Sequence, residues 1–154
     1  MVRIRRESEM LNTHKPLPDC TIFLLAKAYQ KAHGHFKDVL KPYGLTNLQH
    51  LVLEGLWYEA GQTAAELGKL LIMDKATLSG VLDRMAEAGW IEKRPDPDDR
   101  RVVRLFTTPK AEEQKTELIA LRQKANEELL APFSLEEQVL LKRLLWDLMA
   151  TEKS

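Results

Sequence analysis

One stretch, residues 74–106, leaves this chain few folds to choose from. Asp74 suits a helix start, because its carboxylate accepts hydrogen bonds from the free amides of a first turn. Leu78, Val81, Leu82 and Met85 then recur at helical spacing, which predicts a short helix with one buried face. Gly89 ends it, as glycine does where a chain turns left-handed. The outer side carries Lys75, Ala76, Ser79, Gly80 and Asp83, with Thr77 and Arg84 at its edges. These are small, polar or basic side chains with little reason to seek a core. Two short extended runs follow, Trp90 to Arg94 and Val102 to Thr107, around a Pro-Asp-Pro-Asp-Asp tip that ends in paired arginines. That pattern predicts a β-hairpin with a proline-stiffened loop. A helix presenting small side chains ahead of an arginine-tipped hairpin reads as a winged helix.

The rest of the chain reads as helix. Residues 1–18 mix charges with Pro16 and Pro18 and lack a period, so a loose arm is expected there. Asp19 is placed to cap a first helix with apolar positions Ile22, Leu25, Ala26, Tyr29, Ala32, His33 and Phe36, stopping before Pro42. Thr46 with Gln49, and Thr63 with Glu66, are capping boxes for a second and a third helix. The second is apolar on two sides (Leu48, Leu51, Val52 and Leu56; Leu53 and Trp57), which places it mid-fold; Gly61 closes it. The third turns Leu67, Leu70 and Leu71 inward and forms a helix-turn-helix with the Asp74 helix. Thr108-Pro109 opens a long helix to about Ala131 with Leu118, Leu121, Ala125 and Leu129 inward. Pro132 breaks it, and Ser134 with Glu137 caps a last helix with Leu141, Leu144, Leu145 and Leu148 in a stripe. The fold expected is mostly α with a small β component: a winged helix-turn-helix with flanking N- and C-terminal dimerisation helices. Residues 19–150 form one domain, with a reading lobe over about 46–107 and a pairing lobe over about 19–45 and 108–150. Three helices beyond the needs of a winged-helix core imply a second copy of the chain as partner; the competing reading is a monomer that packs them on itself.

Composition limits the alternatives. At 154 residues, 44% apolar and 30% charged, the chain suits one ordinary globular domain. No apolar run approaches a membrane span, and no h-region follows Arg3, Arg5 and Arg6, so neither a membrane partner nor a signal peptide is expected. A single cysteine, Cys20, excludes an internal disulfide framework and fits a cytoplasmic location. The formal net charge is zero, which argues mildly against nucleic acid. Distribution outweighs the sum: residues 93–104 hold Lys93, Arg94, Arg100, Arg101 and Arg104 against three aspartates, while glutamates collect in the flanks.

The chain resembles the multiple-antibiotic-resistance regulator (MarR) family of bacterial transcription factors over about residues 19–150. The resemblance is carried by Leu45-Thr46 with Gln49, by Asp74-Lys-Ala-Thr-Leu-Ser, and by Glu87-Ala-Gly-Trp-Ile. Strongest is Asp96-Pro-Asp-Asp-Arg-Arg followed by Val-Val-Arg-Leu and Thr107-Thr-Pro-Lys. It implies a homodimeric regulator, usually a repressor, on a palindromic double-stranded DNA site, released by a small ligand or an oxidant. By position it implies that Lys75, Thr77, Ser79 and Arg84 face the major groove and flanking phosphates. It likewise implies that Arg100, beside Arg101, enters the minor groove and that Asp98 orients it. A guanidinium suits a narrow, strongly negative groove. The competing reading is that Arg100 and Arg101 only solvate a hairpin tip, and that the winged helix docks a protein without binding DNA.

Other candidate sites are weaker. Peroxide-sensing relatives carry a thiol that aligns near Ile22, not Cys20, and their two supporting tyrosines align with Phe36 and Asn47, so a redox role is not expected. His33 and His35 lie on nearly opposite sides of a helix and cannot share an ion, so no metal is expected. No phosphate loop or nucleophile–base arrangement is present; neither a cofactor nor an enzymatic activity is expected. His33, His50 and Trp57, with Tyr29 and Phe36 near them, form a candidate pocket for a small planar aromatic or acidic effector. The alternative is that they are ordinary core residues.

Overall fold

Every α-helix after the first starts at a residue whose side chain caps it. The computed structural model describes residues 19–150, so the arm expected over residues 1–18 lies outside the described residues. α1 spans Thr21–Leu40 and runs into a 3-10 turn over Lys41–Tyr43, which absorbs Pro42. Its N-cap is Cys20 rather than Asp19, and Cys20 is exposed. α2 spans Asn47–Tyr58 and α3 spans Ala64–Leu71, each opened by its capping box. α4 (Lys75–Glu87) starts at Asp74, β1 is Ile91–Pro95 and β2 is Val103–Thr107. α5 (Pro109–Leu130) starts at Thr108, and α6 covers Leu135–Ala150. Mutual bonds between Ser134 and Glu137 form the α6 cap: Ser134 N donates to Glu137 Oε2, and Glu137 N donates to Ser134 Oγ.

The winged helix-turn-helix builds on α2. Val52, Leu53 and Leu56 are buried there against Leu67 of α3, Leu78 and Met85 of α4, Ile91, Leu105 and Leu118. β1 and β2 pair antiparallel from Ile91↔Thr107 to Pro95↔Val103. The segment before α3 adds a short third edge: Gly61 N donates to Leu105 O and Leu105 N to Gln62 O, each at 2.9 Å. Gly61 has φ +79°, and the Phe106 ring lies 3.3 Å from where a Cβ would stand. Glycine is required there on both counts.

The first and last helices and α5 differ from the rest. α5 buries Ala111, Leu118, Ala125 and Leu130, but α1 buries only Leu40, and α6 buries nothing among the described residues. Ile22 is 80% exposed and Trp146 62%, and Tyr29, Leu144, Leu145 and Leu148 are also exposed. The stripes read from the sequence exist, yet their own chain does not cover them. Leu70, expected inward, is exposed, because α3 turns Leu67 and Gly68 to the core instead.

Candidate nucleic-acid interface

α4 is presented by a tight turn. Met73 N donates to Gly68 O at 2.9 Å, and a Cβ on Gly68 would come within 3.3 Å of Met73 O, so a small residue lets the turn close. Ile72 at the α3 C-cap takes φ +54°, a left-handed conformation that a β-branched residue rarely adopts. Asp74 then accepts from Thr77 N at 2.8 Å and from Thr77 Oγ1 at 2.6 Å. Those bonds, the hydroxyl first, hold the Asp74 carboxyl below its usual range. Leu78, Val81, Leu82 and Met85 are buried, while Lys75, Thr77, Ser79, Asp83 and Arg84 are exposed. The face read from the sequence is therefore the solvent face of α4. The Thr77 hydroxyl is already engaged by Asp74, which leaves its methyl for contact.

The wing is anchored by a residue that the sequence reading does not single out. Asp96, only 7% exposed, accepts from Asp98 N at 2.8 Å and Asp99 N at 3.1 Å, and from Arg104 Nε. Arg104 Nη1 also donates to Gly61 O at 2.9 Å, which fastens the tip to the base of the lobe. The Arg104 guanidinium first, then the two amides, hold the Asp96 carboxyl below its usual range. The signal is present in the chain: an aspartate followed by a proline and two further aspartates favours a turn bonded to its own amides.

At the tip, Asp99 takes Arg101 through Nε and Nη2, each at 2.9 Å. Arg100 is exposed and has no ion pair or hydrogen bond among the described residues. The Asp98 side chain is exposed and makes no bond to Arg100. Lys93 of β1 donates to Asp83 of α4, tying the hairpin to the helix. On α4 and the wing, Lys75, Arg84 and Arg100 thus remain without an ion-pair partner among the described residues. Such a set can neutralise phosphates, and Arg100, on a narrow tip, can enter a groove.

A second feature lies behind the lobe. A cavity of about 490 Å³ opens between α1, α2 and α5, lined by His33, Phe36, Asn47, Leu51 and Arg122 among others. Asn47 Nδ2 donates to His33 O at 3.1 Å, while its buried Oδ1 has no partner among the described residues. His50 and Trp57 do not line this cavity. His50 is fully buried behind Phe36, ring centroids 5.0 Å apart and edge-on, and Trp57 lies 6.4 Å beyond it. The sequence reading misses Arg122 and Asn47 as lining residues, since nothing local marks a residue of α5 as a neighbour of α2. Among the described residues no group of three His, Cys, Asp or Glu could hold a metal ion.

The comparisons with known proteins agree on one family. Residues 45–103 match the sequence profile of the MarR family. The HTH-type transcriptional regulator TtmR of Methylorubrum extorquens is 34% identical over 109 residues, 68% of this chain but only 56% of that relative. YsmB of Bacillus subtilis, an HTH-type transcriptional regulator, is 30% identical over 112 residues, 73% of this chain and 77% of its own. Among solved structures, a mutant MarR from Escherichia coli complexed with operator DNA is 29% identical with a TM-score of 0.75, covering 81% of this chain and 90% of that one.

Proposed function

The chain belongs to the MarR family, and from that membership we propose a dimeric, ligand-responsive transcriptional repressor acting on a palindromic operator in the cytoplasm. α4 lies in the major groove with Lys75, Thr77, Ser79 and Arg84 toward bases and phosphates. Arg100 enters the flanking minor groove, and Asp98 turns to it on binding. The observation that carries this reading is that Lys75, Arg84 and Arg100 are exposed on α4 and the wing with no ion-pair partner among the described residues. A local surplus of unpaired cations on a reading surface makes DNA affinity largely a matter of counterion release. The zero net charge of the whole chain does not oppose it, because a large share of the negative charge (Glu112, Glu113, Glu117, Glu127, Glu128, Glu136 and Glu137) lies on α5 and α6 rather than on α4 or the wing. Two copies are supported by the bare apolar faces of α1 and α6.

The effector we place in the cavity between α1, α2 and α5, where the pairing helices meet the reading lobe. A planar aromatic acid suits it: Phe36 offers a ring, His33 and Arg122 offer donors, and Asn47 Oδ1 offers an unused acceptor. His50 and Trp57 support the wall from behind rather than touch the ligand. Release then requires that the effector bind more tightly to a dimer whose α4 helices are spaced wrongly for the operator. Retention on duplex DNA, measured across salt, tests the core of the proposal. Affinity should fall linearly in log–log with a slope of about −0.9 per phosphate neutralised, and footprints should be two-fold symmetric. Salt-independent or absent retention would instead indicate a winged helix that docks protein.

A further inference from the structure

Arg122 belongs to two environments at once. It lines the effector cavity, and its Nε donates to Oε1 of Glu54, 68 residues away on α2. The same Glu54 oxygen lies 3.7 Å from Nε2 of His50, one turn earlier on that helix. His50 is fully buried. Its Nε2 faces the Leu118 carbonyl oxygen at 3.2 Å; since a carbonyl only accepts, Nε2 carries the proton and donates it. Nδ1 is left with a bare lone pair and no partner among the described residues.

The charges around His50 come from two helices. Glu54 on α2 favours the imidazolium, and Arg122 on α5 opposes it. α1 meets it with the Phe36 ring, while His33 lines the cavity and His35 is engaged by Glu128 at 2.9 Å. Glu117, next to Leu118 on α5, is taken by the Tyr43 hydroxyl. Burial, before any charge, pushes the His50 imidazole below its ordinary range, so the ring is neutral in the free protein. The cluster therefore sums to zero: Arg122 positive, Glu54 negative, His50 neutral.

Resting on the cavity assigned above, we propose that an anionic effector draws Arg122 away from Glu54, and that His50, left beside the Glu54 carboxylate, takes up one proton from solvent at Nδ1 in exchange. The carboxylate brings one negative charge and the proton one positive, so the buried cluster is neutral before and after. No covalent bond forms apart from the one between that proton and the Nδ1 lone pair, and Glu54, whose Oε1 lies 3.7 Å from Nε2 on the same ring, balances the imidazolium charge. The physical drive is that Glu54, once stripped of Arg122, is a half-buried carboxylate beside a buried base. Leaving it unpaired is unfavourable, and a proton relieves it. Loss of the Arg122–Glu54 bridge also removes one of the ties between α5 and α2, at the junction of the pairing helices with the reading lobe, and leaves the His50–Leu118 hydrogen bond and the packing of Leu118. The site thus senses a weak acid as anion plus proton, and responds more strongly as the medium acidifies.

Calorimetry of benzoate binding to the full-length protein, in buffers of different ionisation enthalpy, counts the protons directly. Between the His50 titration in the free protein and that in the complex, benzoate affinity should fall by nearly tenfold per unit of rising pH, with about one proton taken up per benzoate. Glu54→Gln removes the charge that competes for Arg122; that variant should bind benzoate several-fold more tightly, independently of pH and with no proton uptake. Benzamide, of the same shape but uncharged, should take up no proton on either protein. The His50 ring-nitrogen resonances of the unsubstituted protein, followed by NMR during the titration, should shift with benzoate and not with benzamide. Benzoate binding with no proton uptake and no shift would overturn the exchange and leave the cavity assignment standing. Failure of benzoate to bind either protein would overturn both.

Discussion

Asp99 holds Arg101 with both of its carboxylate oxygens at 2.9 Å, and the neighbouring Arg100 at the wing tip is left without a partner among the described residues. The two arginines are adjacent in sequence but not equivalent. A guanidinium already locked to a carboxylate must give up that pair before it can serve a phosphate or a groove. An unpaired one gives up only water.

Arg100→Ala should therefore weaken operator binding by about 1–3 kcal/mol and leave the thermal midpoint unchanged, because the tip carries no core. Arg101→Ala should lose much less. Fluorescence anisotropy with a labelled duplex at matched salt separates the two. Equal affinity of Arg100→Ala and the parent would remove the wing from the interface.

Acid should loosen the wing before it melts the core. The Arg104 hydrogen bond, with the Asp98 and Asp99 amides behind it, depresses the Asp96 carboxyl. A depressed carboxyl contributes order above its unfolded pKa, and that contribution is lost as pH falls through the folded one. The window thus lies at and below the ordinary carboxylate range. Asp96→Asn keeps an acceptor for the two amides but loses the charge that holds Arg104. It should show, at neutral pH, the low wing amide protection (exchange relative to the intrinsic rate at the same pH) that the parent shows only in acid. Identical exchange in both proteins at neutral pH would show that the charge is not what holds the tip.

What was legible in the sequence was what is decided locally. The capping boxes at Thr46 and Thr63, the Asp74 cap and the hairpin each depend on residues within a few positions; the caps formed as read, and the hairpin formed with strand ends within one residue of the runs read. The solvent face of α4 followed from periodicity alone. Pairs made through space were not legible. Arg122 and Glu54 meet across 68 residues, and the imidazole of His50 sits behind the cavity rather than in it. Helical period says which residues share a face, not which of two faces a ligand would touch. Asp96 is a third kind of case. Its neighbours announced a turn, but the choice between Asp96 and Asp98 as the bonded carboxylate depends on how Arg104 crosses from β2.

Ile72 should be replaceable with profit. It takes φ +54° while 67% exposed, so it holds a strained backbone in return for little burial. A left-handed residue with a Cβ costs about 1–2 kcal/mol, and asparagine tolerates that region better. Ile72→Asn should thus stabilise the protein by up to about 1 kcal/mol, raising the midpoint by about 2–4 °C. Differential scanning calorimetry decides; a lower midpoint would mean that the exposed isoleucine side chain contributes more packing than its surroundings indicate.

The pairing helices give the last and broadest test. α6 buries no residue of its own among those described, yet it carries Leu144, Leu145 and Trp146 in the open, and α1 adds Ile22 and Tyr29. Apolar surface of this extent on helices that otherwise hold their shape calls for a cover, and a second copy supplies a self-complementary one. Covering the exposed half of a leucine is worth about 1 kcal/mol, so several such residues on each chain are enough to hold a dimer. Leu144→Glu combined with Leu145→Glu places charges on that seam without touching the winged helix, whose core is formed by α2 to α5 and the hairpin. The double variant should sediment as a monomer, keep the helical circular dichroism of the reading lobe, and bind a full palindrome no better than a single half-site. If it remains a dimer with undiminished operator affinity, the copies meet elsewhere, and the bare faces of α1 and α6 must serve some other contact.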